Sequence, residues 1–411
     1  GTYKFKITNN TWDFSLDAGS VDNLCSTPGA YSGDSNGNIT VILAGDGSIS
    51  ISVADGKICL TVVGETDKPY SGSAVPSECG DVLLQGFYYD SDEVDPHHNG
   101  TAEYGDTKWK TLLAQSGEIG AYFDLIWLPP SGYASGVGYH PKQYSNQNSD
   151  WGSRTELEKL IAAFHNSGTK VVADIVINHA EAMTGWCDMA TEDFGEYGVF
   201  EPGPSFITSN DEVNNPANNV DSLAGDCWGY SAASRADDGA NWDAARDWAH
   251  DNPEVQEMFK AYLKWMKNVM KYDGWRYDKG DGYSNWHMDN YNKASEPYIA
   301  FEEYYDGNAE NIKNAIRAGN MNMMAFDFPA KFDAINPIAG WNYVGRRGLI
   351  GKDGTGSDYW KKHAVTWVEN HDMFLRDDND LEFGGRNNSM TPAMKYRVLD
   401  ANAFILSMPG V

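Results

Sequence analysis

Val171-Val172-Ala173-Asp174-Ile175-Val176-Ile177, followed directly by Asn178-His179, is an apolar strand that ends in side chains able to do chemistry. A helix signal stands immediately before it. Ser153-Arg154-Thr155-Glu156 is a capping box, and Leu157, Leu160, Ile161 and Phe164 then form one apolar stripe. Outward from this unit the alternation repeats. Apolar strands are expected at Val82–Tyr88, Phe123–Leu128, Trp275–Tyr277, Tyr298–Phe301, Met324–Phe328 and Val365–Val368, and Asn252-Pro253 starts a helix through Val255, Phe259, Tyr262, Met266 and Val269. Strands alternating with helices pair in parallel through right-handed crossovers. Polar residues gather at the carboxyl ends of many different strands, which predicts an α/β fold of the (β/α)8 TIM-barrel type rather than an open sheet. Seven strands are legible. An eighth is expected beyond Val411, after a helix opened by Thr391-Pro392 and stopped at Pro409-Gly410.

The flanking sequence reads differently. From Tyr3 to about Val63 the chain alternates apolar and polar residues between Gly/Asn/Asp turns, as in Ile49-Ser50-Ile51-Ser52-Val53, which predicts an N-terminal β-sandwich module over 1–64. Residues 65–79, with Pro69 and Pro76, have linker composition. The barrel is then expected over 80–179 and 242–411, interrupted at 180–241 by a Gly-, Asn- and Asp-rich stretch too long for a simple βα loop and read as a small inserted domain.

Composition narrows the function. The net charge of −28, from 31 basic and 59 acidic residues, repels phosphate backbones and anionic membranes, so nucleic acid is excluded as a partner. No apolar run is long enough to span a bilayer, and no leader opens the chain, so a mature secreted, cell-surface or periplasmic monomer is expected. Five cysteines show no zinc-type pairs; Cys25 with Cys59 and Cys187 with Cys227 are candidate disulfides, and five buried thiols are the open alternative. The 14 Trp and 23 Tyr include rings suited to the apolar faces of sugars, although most such rings serve the core.

Four strand ends concentrate reactive groups: Asp174 to His179, Gly274-Trp275-Arg276-Tyr277-Asp278, Phe301-Glu302-Glu303-Tyr304, and Val368-Glu369-Asn370-His371-Asp372. Parallel barrel strands point their carboxyl ends at one face, so these groups converge. Breaking a glycosidic bond with retention needs one carboxylate to attack and one protonated carboxyl to release the leaving oxygen, and Asp278 and Glu303 can supply that pair. Arg276, two residues before Asp278, projects to the same side and can keep it ionised. Glu303 needs a raised pKa, which a less polar setting or the charge of Asp372 can provide. Asp372, His371 and His179 are placed to bind sugar hydroxyls.

These four segments resemble the signature regions of the α-amylase family of glycoside hydrolases, and the likeness extends over roughly 80–411, closest to plant and bacterial starch-degrading members. The resemblance implies Asp278 as nucleophile, Glu303 as acid/base and Asp372 as the third acidic residue. Arg276, His179 and His371 complete the innermost subsite, and Tyr139 stacks beneath the sugar there. It also implies a structural Ca2+ held through Asn178, Asp247 and the Gly282 carbonyl, by the oxygen ligands a hard cation prefers. The expected substrate is an α-glucan, starch or glycogen, cleaved at internal α-1,4 bonds; oligosaccharide-forming or transglycosylating members, and a non-catalytic glucan-binding protein, are the alternatives.

Several positions depart from the family pattern. Asp281 stands where a basic residue is usual, with Lys279 close by as a candidate substrate contact. Arg246-Asp247-Trp248 replaces Pro-Asp-Leu, and Glu302 replaces a small residue beside Glu303. The module at 1–64 is similar to starch-binding β-sandwiches, although Trp12 and Phe14 suit a core equally well.

Overall fold

The chain forms two compact units, Gly1–Ser71 and Gly72–Val411. In the larger unit the computed structural model describes residues 74–77, 80–87, 107–184, 188–208, 237–242, 245–332, 348–349, 360–368, 370–372 and 392–407; in the smaller it describes the backbone of the paired strands. Both candidate disulfides, Glu369, the stop at Pro409-Gly410, Trp12 and half of the inserted stretch lie outside the described residues.

In the smaller unit the strands pair antiparallel. Ser48–Ala54 meets Lys57–Val63 in unbroken register, and Thr2–Phe5 meets Ile39–Ile42. These are the alternating runs of the sequence.

The larger unit carries one parallel sheet of seven strands: β1 (Leu83–Gln85), β2 (Leu125–Leu128), β3 (Lys170–Ile175), β4 (Gly274–Tyr277), β5 (Ile299–Glu302), β6 (Met324–Phe326) and β7 (Ala364–Val365). Spatial order follows chain order from β1 to β7. A doubly wound sheet reverses its order at a switch point, so this sequential winding is that of a barrel. All seven expected strands are present, but several end early. The sixth stops at Phe326 because Asp327 accepts a hydrogen bond from the Ala330 backbone N–H (3.1 Å) and caps a short turn, Phe328–Ala330.

The helices begin where their caps dictate. Helix α1 (Lys108–Ile119) is capped by Thr107, and α2 (Arg154–Asn166) by the full Ser153/Glu156 capping box. Asn252 caps α3 (Pro253–Trp265), with proline in the first turn, where a missing N–H costs nothing. Helices α4 (Asn285–Ser295), α5 (Ala309–Ala318) and α6 (Pro392–Leu406) complete the set used below. Among the described residues, no helix is long and apolar enough to cross a membrane.

Strand periodicity positions the site. On β4 the outward Trp275 donates its indole N–H to Ser295 Oγ (3.0 Å) and the outward Tyr277 donates to Asn292 Oδ1 (2.8 Å), both on α4. The intervening Arg276 therefore points inward, as does its β3 register partner Asp174. Above the apolar layers of Trp127, Phe301 and Phe326, the barrel axis thus holds charge.

Candidate active site

Arg276 is fully buried and its guanidinium binds three carboxyl groups. Nη1 donates to Asp174 Oδ1 (2.9 Å) and to Asp278 Oδ1 (2.7 Å), while Nη2 lies 2.6 Å from Glu303 Oε2. The Trp127 ring lies against the guanidinium, 5.0 Å from its carbon. Asp278 and Glu303 extend the inward rows of β4 and β5: Asp278 N–H bonds to the Ile175 carbonyl and Glu303 N–H to the Tyr277 carbonyl, both at 3.0 Å. The strands thereby hold the backbone of both acids.

Three carboxyls around one cation cannot all ionise cheaply in a buried site. Burial pushes Glu303 up to about 8; Arg276 opposes this, and the negative charges of Asp278, Asp372 and Asp174 reinforce it. Asp174 rises to about 7, mainly by burial, with Arg276 again opposing. Glu303 is therefore protonated at neutral pH and can donate.

A cavity of about 380 Å³ opens over these groups, lined by Tyr139, His179, Lys279, Asp281, Asn370, His371 and Asp372 besides the two acids. His371 stacks on Tyr139 (centroids 5.1 Å apart, 10° between planes) and places Nε2 3.3 Å from Asp372 Oδ2. Its Nδ1 meets Gln85 Nε2 at 3.1 Å. Tyr139 donates its hydroxyl to Asp174 Oδ2 (2.8 Å), which fixes the ring at the cavity floor. His179 is buried, and burial lowers its pKa to about 4, so it is neutral. Both its nitrogens meet protein partners, the Tyr139 carbonyl at 2.9 Å and Asn178 Nδ2 at 3.2 Å. Lys279, in a left-handed conformation (φ 49°), turns its amine to Asp281 Oδ1 (3.0 Å), so at this rim the base is neutralised by an acid.

Glu302 and Glu303 part company. Glu302, an outward residue of β5, is fully buried and its Oε2 accepts from Asn285 Nδ2 (2.7 Å) at the start of α4; Glu303 faces the cavity. Sequence reading missed Asp174 as a site residue and missed Trp242. The first is a lone acid inside an apolar strand, a signal that was available. Trp242 lies tilted against the His179 ring, centroids 4.1 Å apart, but comes from the irregular stretch, where no periodicity marks it.

The three residues named for calcium lie together. His179–Ala180 pairs antiparallel with Arg246–Asp247, and Trp248 N–H bonds to the Asn178 carbonyl (3.0 Å). Asn178 and Asp247 are fully buried. Gly282 approaches so closely that a Cβ there would sit 1.9 Å from Asn178 Oδ1. A buried carboxylate, an amide oxygen and an adjacent backbone form an all-oxygen donor set that fits Ca2+.

Comparison with known proteins agrees with this geometry. Residues 118–325, just over half of the chain, match the family model described as alpha amylase, catalytic domain. Alpha-amylase 3, chloroplastic, of Arabidopsis thaliana is 28% identical over 324 residues, covering 75% of this chain and 33% of that protein. "Probable alpha-amylase 2" of the same plant is 24% identical over 348 residues, covering 80% and 73%. The crystal structure of an Anoxybacillus α-amylase superposes with a TM-score of 0.51 at 18% identity, covering 81% of this chain and 67% of that one, and shares its fold. The chain spans about a third of the length of the first of these relatives.

Proposed function

Because the chain belongs to the α-amylase family, we propose that it hydrolyses internal α-1,4-glucosidic bonds of starch- or glycogen-like glucans with retention of configuration. The observation that carries this reading is the single Arg276 guanidinium touching both Asp278 and Glu303, which holds an attacking and a donating carboxyl in one small space. Asp278 attacks the anomeric carbon while Glu303 protonates the departing oxygen. Glu303, now ionised, then takes a proton from the water that hydrolyses the glycosyl-enzyme. Asp372 and His371 hold sugar hydroxyls at the cavity wall, with Tyr139 and Trp242 as ring surfaces. His179 lines the same cavity, oriented by the Tyr139 carbonyl, and meets the sugar beside them.

The test is the product profile on soluble starch, with the first-formed anomer read by proton NMR. A mixture of chain lengths released as the α-anomer is expected. Early release of the β-anomer would sink retention, and glucose as sole early product would sink internal cleavage.

Asn178, Asp247 and Gly282 would hold the calcium ion, whose charge ties the returning inserted stretch to the end of β3. A ligand that binds only the folded state stabilises it by about 2.7 kcal/mol at a free concentration 100-fold above Kd. Chelation is therefore expected to lower the thermal midpoint by several degrees, and added Ca2+ to restore it. An unchanged midpoint in a metal-free preparation would count against the site.

A further inference from the structure

Outside the pocket, donors from three separate segments converge. His287, in the first turn of α4, is fully buried, and its Nε2 lies 2.9 Å from Asp238 Oδ2 and 3.8 Å from Asp251 Oδ1. The three ligand atoms lie within 4.8 Å of one another, and no other His, Cys, Asp or Glu group among the described residues does so. One imidazole nitrogen carries one proton or one lone pair, so it can satisfy only one of two carboxylates. Asp238 takes that bond, and Asp251 stands too far away for another. A single cation satisfies all three.

We propose that Asp238, Asp251 and His287 form a second metal site, distinct from the calcium position, that takes Zn2+ or a similar late first-row divalent ion. The nitrogen donor separates it from the all-oxygen set around Asn178, because imidazole suits transition ions and Ca2+ prefers oxygen. Tetrahedral zinc with bonds of about 2.0–2.1 Å sets its ligands about 3.4 Å apart. The observed 2.9 and 3.8 Å straddle that value, so small side-chain shifts suffice. Asp251 is half exposed, which gives the ion a route from solvent and room for water as the fourth ligand.

The backbone is prepared for the ion. Ser284 Oγ donates to the Asp238 carbonyl (3.1 Å), Ala240 N–H bonds to the Asp281 carbonyl (2.8 Å), and a Cβ on Gly239 would lie 2.1 Å from the Gly282 carbonyl carbon. One feature opposes binding. His287 Nδ1 is buried without a hydrogen-bond partner, so moving the ring proton there to free Nε2 has a cost. The two carboxylate charges must offset it. The bound ion pins the segment that returns from the inserted stretch, four residues before Trp242 enters the cavity. The site is independent of the glycosidase reading.

The experiment titrates the whole chain with Zn2+ alone, in excess Ca2+ to keep the oxygen site filled, and follows heat. Co2+ serves as the spectroscopic probe. Because the Trp286 ring lies 3.7 Å from the His287 ring, paramagnetic Co2+ at this site quenches Trp286 fluorescence. One saturable Zn2+ per chain is expected, weakened at least tenfold by Asp251→Asn and lost in His287→Gln, with activity in Ca2+ retained by Asp251→Asn. Asp251 is exposed, so its variant folds even if the buried one does not, and it decides the matter alone. Zn2+ binding of equal affinity in Asp251→Asn, or no saturable binding in the parent chain, overturns the proposal.

Discussion

Asp278→Asn is expected to lower kcat on starch by on the order of 10⁴-fold or more, the scale seen when a covalent nucleophile is removed. The amide has nearly the shape of the carboxylate but cannot form the glycosyl-enzyme. The variant should still fold. Arg276 loses one carboxylate, but Asp174 and Glu303 remain against it and ionise more readily once the Asp278 charge that raised them is gone, so its buried charge stays compensated, and the backbone N–H at 278 still bonds to the Ile175 carbonyl. Binding of a maltooligosaccharide should therefore survive, since Tyr139, His371 and Asp372 are untouched. Calorimetry with a non-hydrolysed oligosaccharide, beside a reducing-sugar assay, checks both halves. Turnover at the parent rate would remove Asp278 from the mechanism; loss of binding together with loss of folding would make Asp278 a structural residue.

What the sequence disclosed follows from which signals are local. A capping box, a proline in the first turn and an apolar strand each act within a few residues, so Ser153-Glu156, Asn252-Pro253 and all seven strands were legible. Convergence of Arg276, Asp278, Glu303, His371 and Asp372 followed from one topological fact, that parallel barrel strands end on one face. What escaped depends on contacts across the barrel. Asp174 is visible as a lone acid in an apolar strand, but its place in the site comes from its register partner, Arg276, and pairing registers are not written in either strand alone. Trp242 reaches His179 from a segment with no periodicity at all. His179 lines the cavity beside the two acids, but its two protein partners, the Tyr139 carbonyl and Asn178, come from contacts that no single strand announces. The pair of adjacent acids was separable only by strand parity: Glu302 turns outward to Asn285 and Glu303 inward to Arg276.

That parity gives the sharpest expectation for Glu303. Replacing it by Gln should lower kcat by about 10²–10⁴-fold, the usual worth of a positioned general acid. The loss should be far smaller on an activated α-glucoside such as α-glucosyl fluoride, whose leaving group needs no proton. Glu302→Gln, in contrast, should leave the rate on both substrates close to that of the parent. The pH dependence has a definite sign. Glu303 titrates at about 8, so the parent rate should fall above that pH as the acid form is lost, and the variant should lack this limb. Stability moves the same way. Between the ordinary carboxyl value of 4.5 and about 8, the folded state holds a proton that the unfolded chain has released. The stabilisation from that proton is complete at low pH and lost as pH rises through 8. The parent's thermal midpoint should therefore decline from pH 5 to pH 9 more steeply than that of Glu303→Gln, which is neutral throughout. Asp174, held near 7 by the same burial, gives both proteins a shared part of the slope, so the difference between them isolates Glu303. Equal losses on starch and the activated glucoside, or an alkaline limb that survives in Glu303→Gln, would assign the proton donor to another group.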